Sequence, residues 1–404
     1  MRSLLKNVTL WSLTLGHFCV DMQAGAMPII VGLYLKDALQ LTLAQIGFML
    51  AMYKLTSSLT QPIFGYLSDR YGGRWFAVGG VLWMALLQGL VGYMPSFGLA
   101  VTVAMLAGFG SAAFHPQGAS GANLAAGANK TAGVAMFMLG GNLGFATGPI
   151  LAAVLMGWLG IHGTAGLSLI ALAMAPLLYF LTGQAQRAGN SNKMANWRIE
   201  LNPIFSTTAI VALIAVMSLR AWSQESFSAF LPQFFVDLAA FGKTQASMLS
   251  SLMLYTLAFG SITGGILADR VGGVRVMATS MLMAAPLMGL VFWFGDTRAF
   301  WIAPFLGFVS GAAWPPMLVM AQSLFHKNAG VGSGVALGFV FAMGGLGVSL
   351  TGWLAEPMHL GLYSAMMLLP CVPLLTALLV LLLPARQQTT VPELAPVVAV
   401  PAKL

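Results

Sequence analysis

The chain has 404 residues, 58% of them hydrophobic and only 7% charged, with a formal net charge of +8. A soluble domain averages about 25% charged residues, so the composition excludes a water-soluble globule. The basic residues sit singly in short breaks between apolar runs rather than in one patch, which removes nucleic acid as a partner and leaves a lipid bilayer as the solvent.

Apolar runs of about 20 residues, too long for barrel strands, predict helices that satisfy every backbone group internally. In chain order they place twelve spans near 8–35, 41–67, 76–94, 97–124, 131–157, 164–183, 207–236, 243–268, 275–294, 299–325, 330–355 and 361–384. The first follows Arg2 and Lys6 as a signal peptide would, but the run is long and Asp21 interrupts it, so it reads as an uncleaved helix. With both termini cytoplasmic, Arg2, Lys6, Arg70, Arg74, Lys130, Arg187, Lys193, Arg198, Arg270, Arg275, Lys327, Arg386 and Lys403 fall inside, and only Lys36, Lys243 and Arg298 outside. That is the bias of the positive-inside rule. Cys19 and Cys371 lie within apolar runs of opposite halves and read as core thiols, not a disulfide framework.

The polar stretch GQAQRAGNSNKMANWRIELNP at 183–203 divides six spans from six. The expected organisation is an N-terminal six-helix bundle at 1–183, a cytoplasmic linker at 184–206, a C-terminal bundle at 207–384 and a disordered Pro- and Val-rich tail at 385–404. The halves repeat one another. GYLSDRYGGRW at 65–75 returns as GILADRVGGVR at 265–275, GFGSAAFHP at 108–116 as GFVSGAAWP at 307–315, and GVAMFMLGGNLG at 133–144 as GVALGFVFAMGGLG at 334–347. Two like-oriented six-span halves are an architecture of transporters that rock one bundle against the other around a midplane site.

Over residues 8–384 the chain resembles the major facilitator superfamily. Gly65, Asp69, Arg70, Gly72 and Arg74 match its signature phrase between the second and third spans, and Gly265, Asp269, Arg270, Gly272 and Arg275 form the copy. Within it, GHFCVDM at 16–22, SSLTQPIFGYLSDR at 57–70, FGSAAFHPQG at 109–118, GGNLGFATGP at 140–149, LRAW at 219–222 and FAMGGLG at 341–347 are similar to fosmidomycin-resistance-type exporters. The resemblance implies an all-α membrane protein of twelve helices in two pseudo-symmetric bundles. It also implies a monomer in the bacterial inner membrane that expels a small molecule in exchange for protons by alternating access. Gly144, Gly148 and Pro149 look like the antiporter motif of drug exporters: small residues four apart let helices approach, and the proline bends the span. Ala152 and Ala153 depart from that motif's terminal glycines, and Ala104 stands where many drug antiporters keep an arginine. Any proton route here uses other groups.

Charges at membrane depth are costly and mark pathways, relays or ligand contacts. Asp21 and Glu225 are the acidic residues placed deep in the spans, which makes them the proton carriers, with His17 one turn before Asp21 as a relay. Lys54 stands about 20 Å into the second span at the helical rise of 1.5 Å per residue. Lys54 and Arg220 are cations that could neutralise an anionic substrate, Arg220 in bidentate fashion. The alternative is that Asp21–Lys54 and Arg220–Glu225 are static pairs, although a five-residue spacing sets Arg220 and Glu225 about 140° apart on a regular helix. His115 and its repeat mate Trp314, each before a proline, read as an asymmetric cavity wall; a histidine bonded to a backbone carbonyl is the other reading. Asn142, Gln61, Trp222, Phe227 and Met253 complete the candidates for substrate contact or helix packing. Asp69, Arg70 and Arg74, with Asp269 and Arg270, read as a latch at the cytoplasmic face, Asp69 accepting from a neighbouring helix N-terminus.

No phosphate-cradling loop appears, so an ATP-driven pump is not expected; neither is a cofactor, nor a metal constellation among five scattered histidines. Import of an organic acid by symport is the alternative within transport. An intramembrane enzyme using His17, Asp21, His115 and Ser111, or a sensor, is the alternative outside it.

Overall fold

The computed structural model describes residues 6–127, 129–182, 202–203, 205–324 and 329–384, and these are helical with short connections and no strand. Side-chain caps start several helices as their sequences direct. Asn7 accepts from the Leu10 N–H, Ser96 and Ser206 cap their helices likewise, and Thr42 with Gln45 forms a reciprocal capping box.

Helix α1 is Val8–Ile29, continued after Pro28 by a π-helical turn at Ile30–Leu35 and by Lys36–Leu39. Helix α2 is Leu43–Leu59 and, beyond a break at Thr60, Gln61–Tyr71. There follow α3 (Gly73–Leu90), α4 (Phe97–Ala125), α5 (Lys130–Leu159) and α6 (Thr164–Leu181). The second half holds α7 (Thr207–Asp237), α8 (Lys243–Val271), α9 (Gly273–Phe294), α10 (Ala299–Ala312 and Trp314–Ser323), α11 (Ala329–Leu354) and α12 (Gly361–Leu368 and Cys371–Val380). They fall on the predicted spans. Among the described residues, nine helical stretches are long and apolar enough to cross a membrane, residues 132–181 counting as one; α2, broken at Thr60, and α11 are not among them. Most of the expected linker at 184–206, and the whole tail at 385–404, lie outside the described residues.

At the repeated signature phrase the helices run a few residues beyond the expected span ends at 67 and 268. Ser68 to Tyr71 continues α2, and Ala268 to Val271 continues α8. Each helix then stops at a glycine in the positive-φ region, Gly72 at 103° and Gly272 at 95°. A side chain rarely adopts that conformation, so glycine recurs there for a backbone reason.

Large apolar side chains such as Trp158, Phe180, Trp293 and Trp301 stand exposed on the outer faces, an arrangement water would penalise and lipid accepts. The two halves meet along α2–α11 and α5–α8. A methyl on Gly47 would lie 2.7 Å from the Val348 carbonyl oxygen, and one on Gly352 would lie 2.5 Å from that of Leu43. Thr147 and Tyr255 share a hydroxyl hydrogen bond of 2.7 Å, and the Ile150 N–H donates to Ser251 Oγ at 3.1 Å. At the end of the bundle carrying the α1–α2 and α7–α8 turns, two ion pairs cross between halves reciprocally, Lys36 to Asp237 and Lys243 to Asp37, both at 2.5 Å. Beside them the Ala44 N–H, in the first turn of α2, donates to Glu356 at 2.6 Å. That end is closed.

Candidate functional site

Helix α5 is pressed against α1 by its glycines. Methyls on Gly144 and Gly148 would lie 2.1 Å and 2.3 Å from the carbonyl oxygens of Phe18 and Met22. The antiporter-like motif therefore acts here as a contact surface between α1 and α5. Gly141 on the same face lies beneath a polar cluster, where a methyl would fall 2.4 Å from His17 Nε2 and 2.7 Å from Asp21 Oδ2.

The cluster joins three helices. His17 Nε2 lies 3.1 Å from Asp21 Oδ2 one turn along α1, and His115 Nε2 reaches from α4 to Asp21 Oδ1, also at 3.1 Å. The far side of each ring is fixed by a backbone carbonyl: His17 Nδ1 by Phe137 of α5 at 2.9 Å, His115 Nδ1 by Ser111 at 2.8 Å. The His17 ring stacks on Phe137 with centroids 4.0 Å apart and meets His115 edge-on at 5.0 Å. His17 is buried; Asp21 and His115 are about one fifth to one quarter exposed, at 21% and 24% of their side chains. His115 thus takes a carbonyl, as one reading of the sequence had it, and a carboxylate as well. Two of the five histidines that sequence leaves scattered, His17 and His115, come together with Asp21, one ligating atom of each lying within 4.8 Å of the others. Their N···O separations are hydrogen-bond lengths, so the set is a hydrogen-bonded triad.

The static pairs weighed from sequence are not the ones formed. Asp21 pairs with the two histidines, and Lys54 Nζ of α2 pairs with Glu225 Oε2 of α7 at 3.0 Å, across the two halves. The wide angle between Arg220 and Glu225 is thereby respected. Lys54 also lies over the rings of Phe145 and Phe341, 5.3 and 5.4 Å from their centroids. Lys54 and Glu225 line a small cavity together with Tyr53, Phe145, Ser228 and Val348. A neighbouring small cavity shares Phe145 and reaches Pro149 and Met253.

Arg220 is buried on α7. Its Nη2 donates to the Ser310 carbonyl of α10 at 3.1 Å, its guanidinium faces Trp314 at 5.0 Å, and its Nε has no partner among the described residues. Among the described residues no carboxylate bonds it, so this buried cation has no counter-ion in contact there; the Glu225 charge acts on it from a distance. Trp222 is drawn away from such a role: its indole N–H donates to Thr351 Oγ1 at 2.9 Å and ties α7 to α11. Phe227 packs in the core on Phe292, and Gln61 bonds back to the Ser57 carbonyl. Asn142 is half-buried with no side-chain hydrogen bond among the described residues.

The signature phrase lies apart from these groups. Arg74 donates to the Tyr179 carbonyl of α6 and stacks on its ring at 3.9 Å, within its own half. Arg70 is exposed over Tyr71, Asp269 and Arg270 are exposed, and the side chain of Asp69 lies outside the described residues. Sequence reading weighed Ser111 beside His17, Asp21 and His115 only as an enzyme's serine, and passed over Phe137 and Gly141 as parts of the triad's surroundings and Gln117, which donates to Ser68 of α2. Only the glycine spacing on α5 carried any signal for them.

A family profile described as Major Facilitator Superfamily matches residues 13–335 and 214–402. The chain belongs to that superfamily. It is 29% identical over 377 residues to the fosmidomycin resistance protein of Escherichia coli, covering 92% of each chain. It is 24% identical to the probable nitrate transporter NarT of Staphylococcus carnosus, over 83% of this chain and 84% of the relative. Among solved structures, a bacterial homologue of the human lysosomal transporter Spinster, inward-facing and occupied, superposes with a TM-score of 0.78 at 14% identity, over 92% of this chain and 95% of that one. The nucleoside transporter NupG follows at 0.69 and 16%, over 92% and 98%. At such identities these structures speak for the fold alone; that the chain is a transporter rests on the superfamily profile.

Proposed function

We propose that this superfamily transporter is a proton-coupled antiporter of the bacterial inner membrane, exporting a small anionic or zwitterionic compound by alternating access. The observation that carries the reading is the His17–Asp21–His115 triad, a carboxylate gripped by two titratable rings inside an apolar bundle. The exposed faces of Asp21 and His115 give protons a way in, and the charge of the triad changes as they bind. Lys54–Glu225, bridging the halves beside the cavity, is the second charged element, and its pairing couples to the relative position of α2 and α7. Arg220, a buried cation with a free Nε beside Trp314, supports an anionic group on the substrate.

Similarity to a fosmidomycin resistance protein favours export, and similarity to probable nitrate transporters favours an anion. Both termini would face the cytoplasm, which puts the closed end with its two cross-half ion pairs on the outside. The signature phrase would latch the opposite end when the halves rock.

The test is purified protein in proteoliposomes with an imposed pH gradient, read by an internal pH dye while phosphonates, organic acids, nitrate and cationic drugs are added. Proton movement evoked by an anionic compound, opposite in direction to that compound, is the expected result. Movement in the same direction would establish symport instead, and a response to cationic drugs alone would overturn the substrate class.

A further inference from the structure

Each histidine of the triad makes two contacts that fix where its protons are. A carbonyl oxygen only accepts, so the Nδ1 that faces Phe137 on His17, and the Nδ1 that faces Ser111 on His115, must each carry a hydrogen. That leaves each Nε2 pointing at an Asp21 oxygen 3.1 Å away. A neutral ring with hydrogen on Nδ1 has a bare lone pair at Nε2, which repels a carboxylate oxygen. Each contact is a hydrogen bond only if one more proton lies in it, on the ring or on the carboxyl. Asp21 can supply such a proton to one ring but not to both, so at least one ring is an imidazolium whenever both contacts are made.

We propose that the triad is a two-proton site, one mobile proton in each Nε2–carboxylate contact, with His115 belonging to the proton path rather than to the substrate pocket. This rests on reading the protein as a proton-coupled exchanger. The bookkeeping is closed. With both protons the set of two rings and one carboxyl carries +1; both leave to water on the side to which Asp21 and His115 are exposed, and the set then carries −1. No other bond forms or breaks.

The surroundings make these protons the ones that matter. From α2, the Tyr53 hydroxyl, buried with no hydrogen-bond partner among the described residues, feels the Asp21 charge, and the Lys54 ammonium acts on His115. From α4 comes the Ser111 hydroxyl, 3.2 Å from His115 Nδ1. Among the described residues α5 adds the Phe137 carbonyl, its ring and the bare backbone of Gly141, and α6 presents the apolar Leu178 to Gly16. Lys54 is therefore the charged neighbour, and it is engaged by Glu225 of the other half. A triad that has fallen to −1 competes with Glu225 for that ammonium, which links proton loss on α1 and α4 to the bridge between the halves.

The test is solid-state nuclear magnetic resonance of the full chain in lipid bilayers, with ¹⁵N-labelled histidine rings, taken from about pH 5 to about pH 9.5, a range that brackets ordinary histidine titration. Signals of His17 and His115 are assigned by their loss in His17→Gln and His115→Gln. The expected result is two rings that pass from imidazolium to the neutral form with hydrogen on Nδ1, never on Nε2. In His115→Gln, whose amide donates to Asp21 without titrating, substrate-evoked proton release falls twofold, from two per substrate to one. A neutral ring with hydrogen on Nε2, or one ring that never changes state, would overturn the two-proton assignment. The wild-type spectra decide it even if a variant fails to fold. Failure of the transport reading would show separately, as absent proton movement in proteoliposomes with the spectra as expected.

Discussion

At the scale of single residues, the account turns on contacts that sequence carries unequally. Gly141→Ala puts a methyl 2.4 Å from His17 Nε2, so the ring must leave Asp21 while the helix itself gains a better former. We expect a folded protein of somewhat lower thermal stability, since overpacking costs about 1–3 kcal/mol against about 1 kcal/mol gained in the helix, and a loss of proton-driven transport of tenfold or more, about 1.4 kcal/mol or greater in coupling; retained transport would separate the triad from the mechanism. Arg220→Ala is expected to weaken anionic substrates far more than neutral ones, and an equal loss for both in uptake assays would count against direct charge recognition. The pairing of His17 with Asp21 was legible because a four-residue spacing puts both on one helical face. The arrival of His115 was not, since 94 residues separate it from Asp21 and no periodicity reports which helices are neighbours. The same limit hid the Lys54–Glu225 pair, although helical geometry correctly kept Arg220 away from Glu225.

At the scale of elements, the spans were legible from the length of their apolar runs, and their ends were missed where charge misled. Asp69, Arg70, Asp269 and Arg270 lie just beyond the expected span ends at 67 and 268 but stand in the last helical turns before Gly72 and Gly272. Replacing Gly72 by alanine forces a side chain into φ of 103° and is expected to cost about 1–2 kcal/mol; denaturation of purified protein in detergent would measure it, and no loss would mean the turn has another available conformation. The reciprocal pairs Lys36–Asp237 and Lys243–Asp37 hold one end shut with modest force, since partly exposed ion pairs are worth roughly 0.2–1 kcal/mol each. Asp237→Lys should therefore shift the closed population by up to about fivefold and alter the transport rate, and adding Lys36→Asp should restore it. A double variant no better than the single one would show that the pair does not participate in gating.

At the scale of the whole molecule, a duplicated sequence has folded into two like bundles that no longer carry like chemistry. The first half holds the triad; the second holds Arg220 beside Trp314 where the first has His115; Lys54 and Glu225 span the gap. The division was partly legible, because the divergence of His115 and Trp314 at one repeat position announced it, whereas the side-chain partners across the cavity depend on how the bundles dock. The account gives the halves separate tasks, proton binding and anion binding, joined by one ion pair. Those tasks come apart most directly in proteoliposomes made with Asp21→Asn, where two activities are compared with the wild type: exchange of labelled for unlabelled substrate without a gradient, and accumulation driven by a pH gradient. The account predicts that exchange survives and accumulation is lost. Gradient-driven accumulation at the wild-type level in Asp21→Asn would contradict it.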